Sequence, residues 1–475
     1  LTTSFSELHL STTLQYALEK MGFTEATPIQ AQTIPLALQG YDVLGQAQTG
    51  TGKTAAFGIP LIETASLEEE QIQSLVITPT RELAIQVAEE LNRIGAAKGI
   101  RSIPIYGGQD INRQIRSLKK RPQIIVGTPG RLQDHIQRRT IRLQGIQQVV
   151  LDEADEMLQM GFREEIEAIL SRIPSERQVL LFSATMPNDI RALAKKFMND
   201  PKEVKIKAKS LTIANIKQAY IEVTPRQKFD ALCNLIDFQR PELAIVFGRT
   251  RRRVDELVEG LSKRGYSVEG LHGDYSQAHR DRVIKSLREG RIDIMVATDV
   301  AARGLDISNI SHIYNFDLTH DAEIYVHRIG RTGRAGKEGT SVTFVTPKER
   351  DDLRNIERVI KKKMKKIQVP SAKEVTVGHQ LFAVNELINV AKNKQHHQFI
   401  DLAEKLLEEN DAVTLLSAAL KMITKETDQT PVQISHDSGL RKRSSNNKRS
   451  SDNRRKGKRN FSSSRRQQRR NKAYS

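Results

Sequence analysis

Ala47-Gln-Thr-Gly-Thr-Gly-Lys-Thr54 concentrates phosphate chemistry into one short stretch. A glycine-rich turn from strand to helix aims successive backbone N–H groups at one point, and Lys53 adds a mobile positive charge there. That point suits a triphosphate. Ala47, Gln48, Thr49, Gly50, Thr51 and Gly52 would form the cradle, and Thr54 would set its hydroxyl on a Mg2+ ion bridging the outer phosphates. Such patterns usually open on Gly; Ala47 keeps the property that matters there, small size. The bland alternative is a glycine-rich turn with no ligand. A second cluster, Asp152-Glu-Ala-Asp155, directly follows the apolar Val149-Val-Leu151. An acid at a buried strand's end can hold Mg2+ opposite Thr54, and its neighbour can orient the water that attacks a γ-phosphate. Asp152 is therefore expected on the metal with Thr54, and Glu153 on the water.

These groups cooperate only if strands bring them to one edge. Asp42-Val-Leu-Gly-Gln-Ala47 reads as a short buried strand and Ala55-Ala-Phe-Gly-Ile59 as part of a packed helix. Further strands are expected at Leu75–Thr78, Ile103–Ile105, Ile124–Val126, Val149–Leu151 and Val179–Phe182, alternating with amphipathic helices. That alternation is the pattern of a parallel sheet covered on both faces, whose ligands bind beyond the carboxyl ends of the strands. After Pro201-Lys-Glu-Val-Lys-Ile-Lys-Ala-Lys209, which reads as an irregular basic linker, the rhythm repeats at 218–223, Ala244–Phe247, 267–271, 292–296, 312–316 and 341–345. No second phosphate-cradling lysine loop accompanies it. Two α/β lobes are expected, with only the first cradling phosphates.

Length and charge set the frame. At 475 residues the chain should divide into two or three domains, and no apolar run approaches the eighteen or so residues of a membrane span. Leu1 to Ser11 lack a basic segment followed by an apolar one, so no export signal is expected there. Cys233 is the only cysteine, which fits a reducing cytosol and a core position better than a nucleophile. The net charge of +18 is mostly a tail: fifteen Lys or Arg and one Asp lie from Arg441 to Ser475. From about Thr427 apolar periodicity is lost, so that stretch is expected to be disordered, with nucleic acid its favoured partner because no apolar face could enter a bilayer. Phe461 and Tyr474 could stack on bases. Between Pro370 and that tail, Ser371-Ala-Lys-Glu374 forms a capping-box signature, and Phe399, Leu402 and Leu406, then Val413, Leu416, Leu420 and Ile423, make helical stripes broken near Asn410. Two readings stay open there, a helical cap on the second lobe and a dimerisation surface.

From Phe5 to Val345 these segments fall in an order that resembles the DEAD-box ATP-dependent RNA helicases. The resemblance implies tandem RecA-like domains at 1–208 and 209–368, a helical domain at 369–426 and a disordered Arg/Lys-rich RNA-binding tail at 427–475. It reads Gly22-Phe-Thr-Glu-Ala-Thr-Pro-Ile-Gln30, with Phe5 ahead of it, as an adenine-recognition element that includes Phe23, Thr27 and Gln30. An amide can indeed donate to and accept from an adenine edge; unaided, Gln30 would pass for a helix-surface residue. RNA-backbone contacts are implied at Pro79, Thr80 and Arg81, at Gly107 and Gly108, and at Thr128, Pro129, Gly130 and Arg131. In the second lobe they are implied at Arg249, Thr250, Gln277, Arg280 and Thr298. Asp155, Ser183 and Thr185 are implied to connect hydrolysis to duplex opening, Asp306 to touch the ribose, and Arg331 and Arg334 to reach the γ-phosphate. His327 belongs by the same resemblance to the acidic motif's network rather than to a metal, and His396-His397 lacks partner ligands, so no structural zinc is expected.

ATP and Mg2+ are the implied cofactors and single-stranded or short duplex RNA the implied partner, in the cytoplasm. An ATP-gated RNA clamp shares every cleft residue and stays open beside the helicase; a DNA translocase is less favoured. The helical region and arginine-rich end resemble the bacterial cold-shock branch of the family. That implies roles in cold adaptation, mRNA decay and ribosome assembly, with a homodimer and with RNA-decay or ribosome-assembly proteins as partners.

Overall fold

The computed structural model describes residues 3–47, 50–206, 215–302, 310–333, 337–393, 396–424, 430–432 and 434–435. Gln48, Thr49, Asp306, Arg334 and the basic stretch from Arg441 lie outside the described residues. Runs of Val, Ile, Leu and Phe with few polar breaks form strands buried on both faces, which requires helices on each side. The first sheet is parallel throughout, in the spatial order Ser102–Ile105, Ile124–Gly127, Ser74–Ile77, Gln148–Leu151, Gln178–Ser183, Val43–Gln46, Lys202–Lys205. A second parallel sheet runs Val268–Leu271, Ile294–Ala297, Ala244–Phe247, His312–Asn315, Gly339–Val345, Ile216–Glu222, Lys365–Lys366. Numbered from its own first strand, each sheet has the order 3-4-2-5-6-1-7. The chain therefore winds the same α/β lobe twice.

Each sheet is sealed by apolar clusters on both faces. In the first, Phe57 of the Lys53–Thr64 helix meets Phe182 with ring centroids 5.5 Å apart. Gly45, in the neighbouring strand, is small because an added Cβ would lie 2.7 Å from the Phe182 ring. Truncating Phe182 to Ala would cost roughly 3–5 kcal/mol. Cys233 is buried in the second lobe's core, where burial pushes its thiol up to about 12. Among the described residues no helix is long and apolar enough to cross a membrane.

Two segments differ from the sequence reading. Lys202–Lys205, expected within a linker, pairs in parallel with Val43–Gln46 as the sheet's last strand. Only Val204 of this strand is buried, and the charges around it mark an edge that resists pairing with other chains. The second difference is a continuous Ala372–Lys392 helix, which the sequence stripes did not reveal because apolar residues recur on several of its sides. Its expected capping box is present at Ser371 and Glu374. Val375, His379 and Ala383 are buried along it, the Arg240 guanidinium lies 3.8 Å from the Phe382 ring centroid, and Asn234 Nδ2 donates to Pro370 O at 2.9 Å. Beyond it, Ile400–Glu409 and Ala412–Ile423 break at Asn410 as expected, and Leu402, Leu406, Val413 and Leu416 are exposed.

Candidate active site

The glycine-rich turn is shaped by backbone conformations that exclude most side chains. Gly50 and Gly52 have φ of 79° and 91°, and a Cβ on Gly52 would overlap Gln30 Nε2. Gln30 is buried rather than on a helix surface: its Oε1 accepts from Thr27 N at 2.9 Å and its Nε2 donates to Gly52 O at 3.1 Å. One amide thus joins the Pro28–Leu38 helix start to the turn, and it retains an N–H and a lone pair. Phe5 braces Phe23 edge-on, with centroids 5.5 Å apart. Ala47 is buried, its N–H donating to Ser183 O at 3.1 Å.

Lys53 opens the Lys53–Thr64 helix with its side chain buried. Among the described residues its Nζ has no hydrogen-bond partner, and it stands 3.9 Å from Asp152 Oδ1. Asp152 ends the Gln148–Leu151 strand, and its carboxyl is raised to about 6, chiefly by burial; Lys53 pulls the other way and Glu153 adds to the rise. Glu153 adopts the left-handed conformation (φ 53°, ψ 50°), a strained geometry costing about 1–2 kcal/mol, directly after Asp152. An ammonium with no hydrogen-bond acceptor among the described residues, a protonation-prone buried acid and a glycine-rich turn fit an anionic phosphate and a divalent cation. Asp155 accepts from both N and Oγ1 of Thr185 at 2.9 Å, and Ser183 Oγ donates to Thr185 O at 2.6 Å.

The second lobe closes on this site. Arg331 lines the same cavity, about 710 Å³, as Phe23, Gln30, Gly52, Lys53, Asp152 and Glu153; Gly50 and Thr54 are on its wall too. His327 Nδ1 pairs with Glu156, and Gln159 Nε2 donates to Glu323 at 3.2 Å. Burial opposes a charge on His327, but the hydrogen bond and charge of Glu156, with Asp155 and Glu153 behind it, outweigh burial and raise its pKa. Arg328 is fixed between Asp299 (2.5 and 2.9 Å) and Asp317 O (2.7 Å), holding the helix that delivers His327 and Arg331.

Most of the other implied contacts lie at strand ends facing this side. Thr80 caps the Arg81–Gly95 helix and Thr250 the Arg251–Lys263 helix, each at φ −127° and ψ 158°. Arg81 lies over Gly107 and Gly108 and donates to Gln277 Oε1 at 3.2 Å across the cleft. In the second lobe Arg251 lies in the same way beside Gly273 and pairs with Asp274. Pro129 and Gly130 start a helix after Thr128, where Arg131 donates to Gln109 O and Gln114 Oε1, each at 3.1 Å. Arg249 N–H donates to Asp317 Oδ2 at 3.0 Å and its Nη2 to Leu318 O at 2.7 Å; Thr298 N–H donates to Leu271 O. Arg280, implied as an RNA contact, meets an acid of the first lobe. It is buried, with Nε 2.7 Å from Glu82 Oε1, and so bridges the lobes. Glu82, Glu156, Arg328 and Asp317 escaped the sequence reading; Glu82 directly follows Arg81, Arg328 follows His327 and Glu156 follows Asp155, and only pairing reveals their work.

A glycine-framed lysine facing buried acids on one α/β lobe, with an arginine of its twin in the same cavity, defines the tandem RecA-like nucleoside triphosphatases. Two family models match in tandem, the DEAD/DEAH box helicase over residues 27–193 and the helicase conserved C-terminal domain over residues 227–336. The DEAD-box ATP-dependent RNA helicase CshA of Geobacillus kaustophilus is 58% identical over 438 residues, covering 92% of this chain and 94% of that protein. CshA of Bacillus subtilis is 56% identical over 447 residues, covering 94% and 90%. Among solved structures, S. cerevisiae Dbp5 bound to RNA and ADP BeF3 superposes with a TM-score of 0.72 at 34% identity, covering 78% of this chain and 97% of that one. Mss116p bound to ssRNA and AMP-PNP gives 0.70 at 27%, covering 82% and 87%. The chain belongs to the DEAD-box ATP-dependent RNA helicases.

Proposed function

We propose that this chain grips RNA through its backbone without reading sequence and opens short duplexes locally, using ATP to bring two half-sites together and hydrolysis to part them. The observation that carries the reading is Arg331 lining one cavity with Lys53, Asp152 and Glu153. Lys53 and the N–H groups of the glycine turn hold the β- and γ-phosphates, and Gln30 and Phe23 hold the adenine. Thr54 and Asp152 would hold a Mg2+ ion, whose charge would offset that of the outer phosphates. Glu153 orients the attacking water, and Arg331 stabilises the charge that grows on the transferred phosphoryl group. Because these residues belong to different lobes, hydrolysis waits on closure. Arg280 with Glu82, and His327 with Glu156, favour the closed arrangement. Thr185 on Asp155 links the acidic segment to the strand beside the phosphate turn.

Thr80, Arg81, Gly107, Gly108, Thr128, Arg131, Arg249 and Thr250 follow parallel strands, and their hydroxyl, guanidinium and backbone N–H groups suit phosphates rather than base edges. The 2′-OH supplies preference for RNA over DNA. The basic stretch from Arg441 adds salt-dependent affinity. The exposed apolar helices at 400–423 would support a homodimer. Cold adaptation, mRNA decay and ribosome assembly in the cytoplasm are the cellular side of the proposal, supported by the likeness of the C-terminal region to the cold-shock branch; crosslinking of the protein to transcripts during growth in the cold tests them. The test of the core is ATP turnover with and without RNA. Arg331→Ala should lower RNA-stimulated turnover by about three orders of magnitude with nucleotide affinity little changed. Turnover indifferent to Arg331, or to RNA, would remove the reading.

A further inference from the structure

After the C-terminal helices the chain returns to the second lobe. Residues 430–432 and 434–435 lie along the Arg251–Lys263 helix, and Val432 and Ile434 pack against the core cluster that holds Phe229, Val254 and Leu257. Gly260 makes room for them: an added Cβ would meet Val432 Cγ1 at 2.9 Å and Phe229 Cζ at 2.8 Å. Polar contacts flank this apolar seat at both ends. Arg264 Nε donates to Thr430 O at 3.2 Å. At the other end Ser435 Oγ and N donate to Glu256 Oε2 at 2.7 and 3.2 Å, and Arg253 Nη1 donates to Ser435 O at 2.7 Å.

Arg253 is the joint between this segment and the lobe's functional edge. It is buried, and its Nε lies 3.3 Å from Asp317 Oδ2, the same oxygen that accepts from Arg249 N–H at 3.0 Å. Its own N–H donates to Thr250 Oγ1 at 3.1 Å. A continuous chain of polar contacts thus runs from the Ser435 carbonyl through one guanidinium to the loop carrying Arg249 and Thr250.

We propose that residues 430–432 and 434–435 belong to an intramolecular strap whose seating on the second lobe fixes Arg253, and through Asp317 the Arg249–Thr250 loop, in the position from which this lobe grips RNA. The proposal rests on reading Arg249 and Thr250 as RNA contacts. Without the strap, Arg253 loses the Ser435 carbonyl, and its guanidinium gains freedom to leave Asp317. The loop then has more conformations to give up on binding RNA, which weakens affinity without touching the ATP residues.

Full-length V432D/I434D, compared with the unsubstituted chain, tests this by amide hydrogen exchange and by the RNA concentration giving half-maximal ATPase. Faster exchange across residues 249–257 is expected, with half-saturating RNA raised roughly three- to tenfold and RNA-free turnover unchanged. Glu256→Gln, which keeps the apolar seat, should move both readouts the same way by less. Exchange identical to the parent would show that the strap is not seated and would overturn the proposal. Faster exchange with RNA saturation unmoved would overturn the coupling, provided Arg249→Ala shifts saturation in the parent. An Arg249→Ala variant that saturates normally would instead remove the RNA reading of the loop, an outcome separable from the exchange result.

Discussion

Asp152 shows how far a residue's surroundings reset its chemistry. Its carboxyl is raised to about 6, first by burial and then by Glu153, with Lys53 holding it down. A carboxyl raised on folding binds its proton more readily in the folded chain, so its contribution favours folding at low pH and is lost as pH rises from the ordinary carboxylate range through about 6. A cation bound there reverses the preference. Affinity for Mg2+·nucleotide should therefore fall as pH drops below about 6, two units above an ordinary aspartate, and titration of a fluorescent nucleotide at graded pH measures it. Asp152, Glu153 and Lys53 were legible in the sequence because metal and phosphate chemistry restricts the residue types at fixed spacing. Glu156 and Glu82 were not, since an acid on a helix reads as a solvated face until a basic partner from the other lobe arrives.

At the scale of elements, the turn before the Lys53–Thr64 helix and the caps before its neighbours do the positioning. Gly52→Ala combines a left-handed φ, costing about 1–2 kcal/mol, with collision against Gln30. The variant is expected to stay folded and to lose at least about tenfold in nucleotide affinity, read by the same titration beside a thermal melt. Strands of four or more apolar residues were legible to within two residues, because burial on both faces leaves little compositional choice. The Lys202–Lys205 strand was hidden for the opposite reason: an edge needs one inward side chain, Val204, and gains from charges elsewhere. The Ala372–Lys392 helix had a readable start and an unreadable body, since its apolar residues face several directions.

Across the described residues, polar contacts between the lobes include Arg280 with Glu82, His327 with Glu156, Arg81 with Gln277 and Gln159 with Glu323. Glu82→Gln keeps the shape of the Arg280 contact and removes its charge; half-saturating RNA should rise several-fold, as a buried charge pair between lobes is worth more than an exposed one. His327 gives closure a pH dependence. Its pKa is raised in the closed form, so the Glu156 pairing is complete below the ordinary imidazole range and is lost as pH climbs through the raised value. RNA-stimulated turnover should fall on that alkaline side, and His327→Gln should flatten the fall while lowering the plateau. The two-lobe organisation was visible as a repeated strand rhythm. That the lobes meet through Arg280 and His327 could not be read, because sequence order says nothing of the angle between them.

The repeated winding has a consequence for the second lobe. Lys53 opens the helix after the first strand of its sheet and stands 3.9 Å from Asp152 at the end of the fifth; Lys228 opens the corresponding helix and stands 3.6 Å from Asp317 just past the corresponding strand. The later pair repeats the layout of the first, with the acid engaged by groups of the protein itself. Lys228 donates to Phe316 O at 2.9 Å, and Arg253 occupies the other side of the acid. Asp317→Asn should accordingly take one of two carboxylates from each of two buried cations, leaving Lys228 with Glu349 and Arg253 with Glu256, and lower the unfolding free energy by about 1–3 kcal/mol, whereas the same change at Asp152 should empty the working pocket and spare the fold.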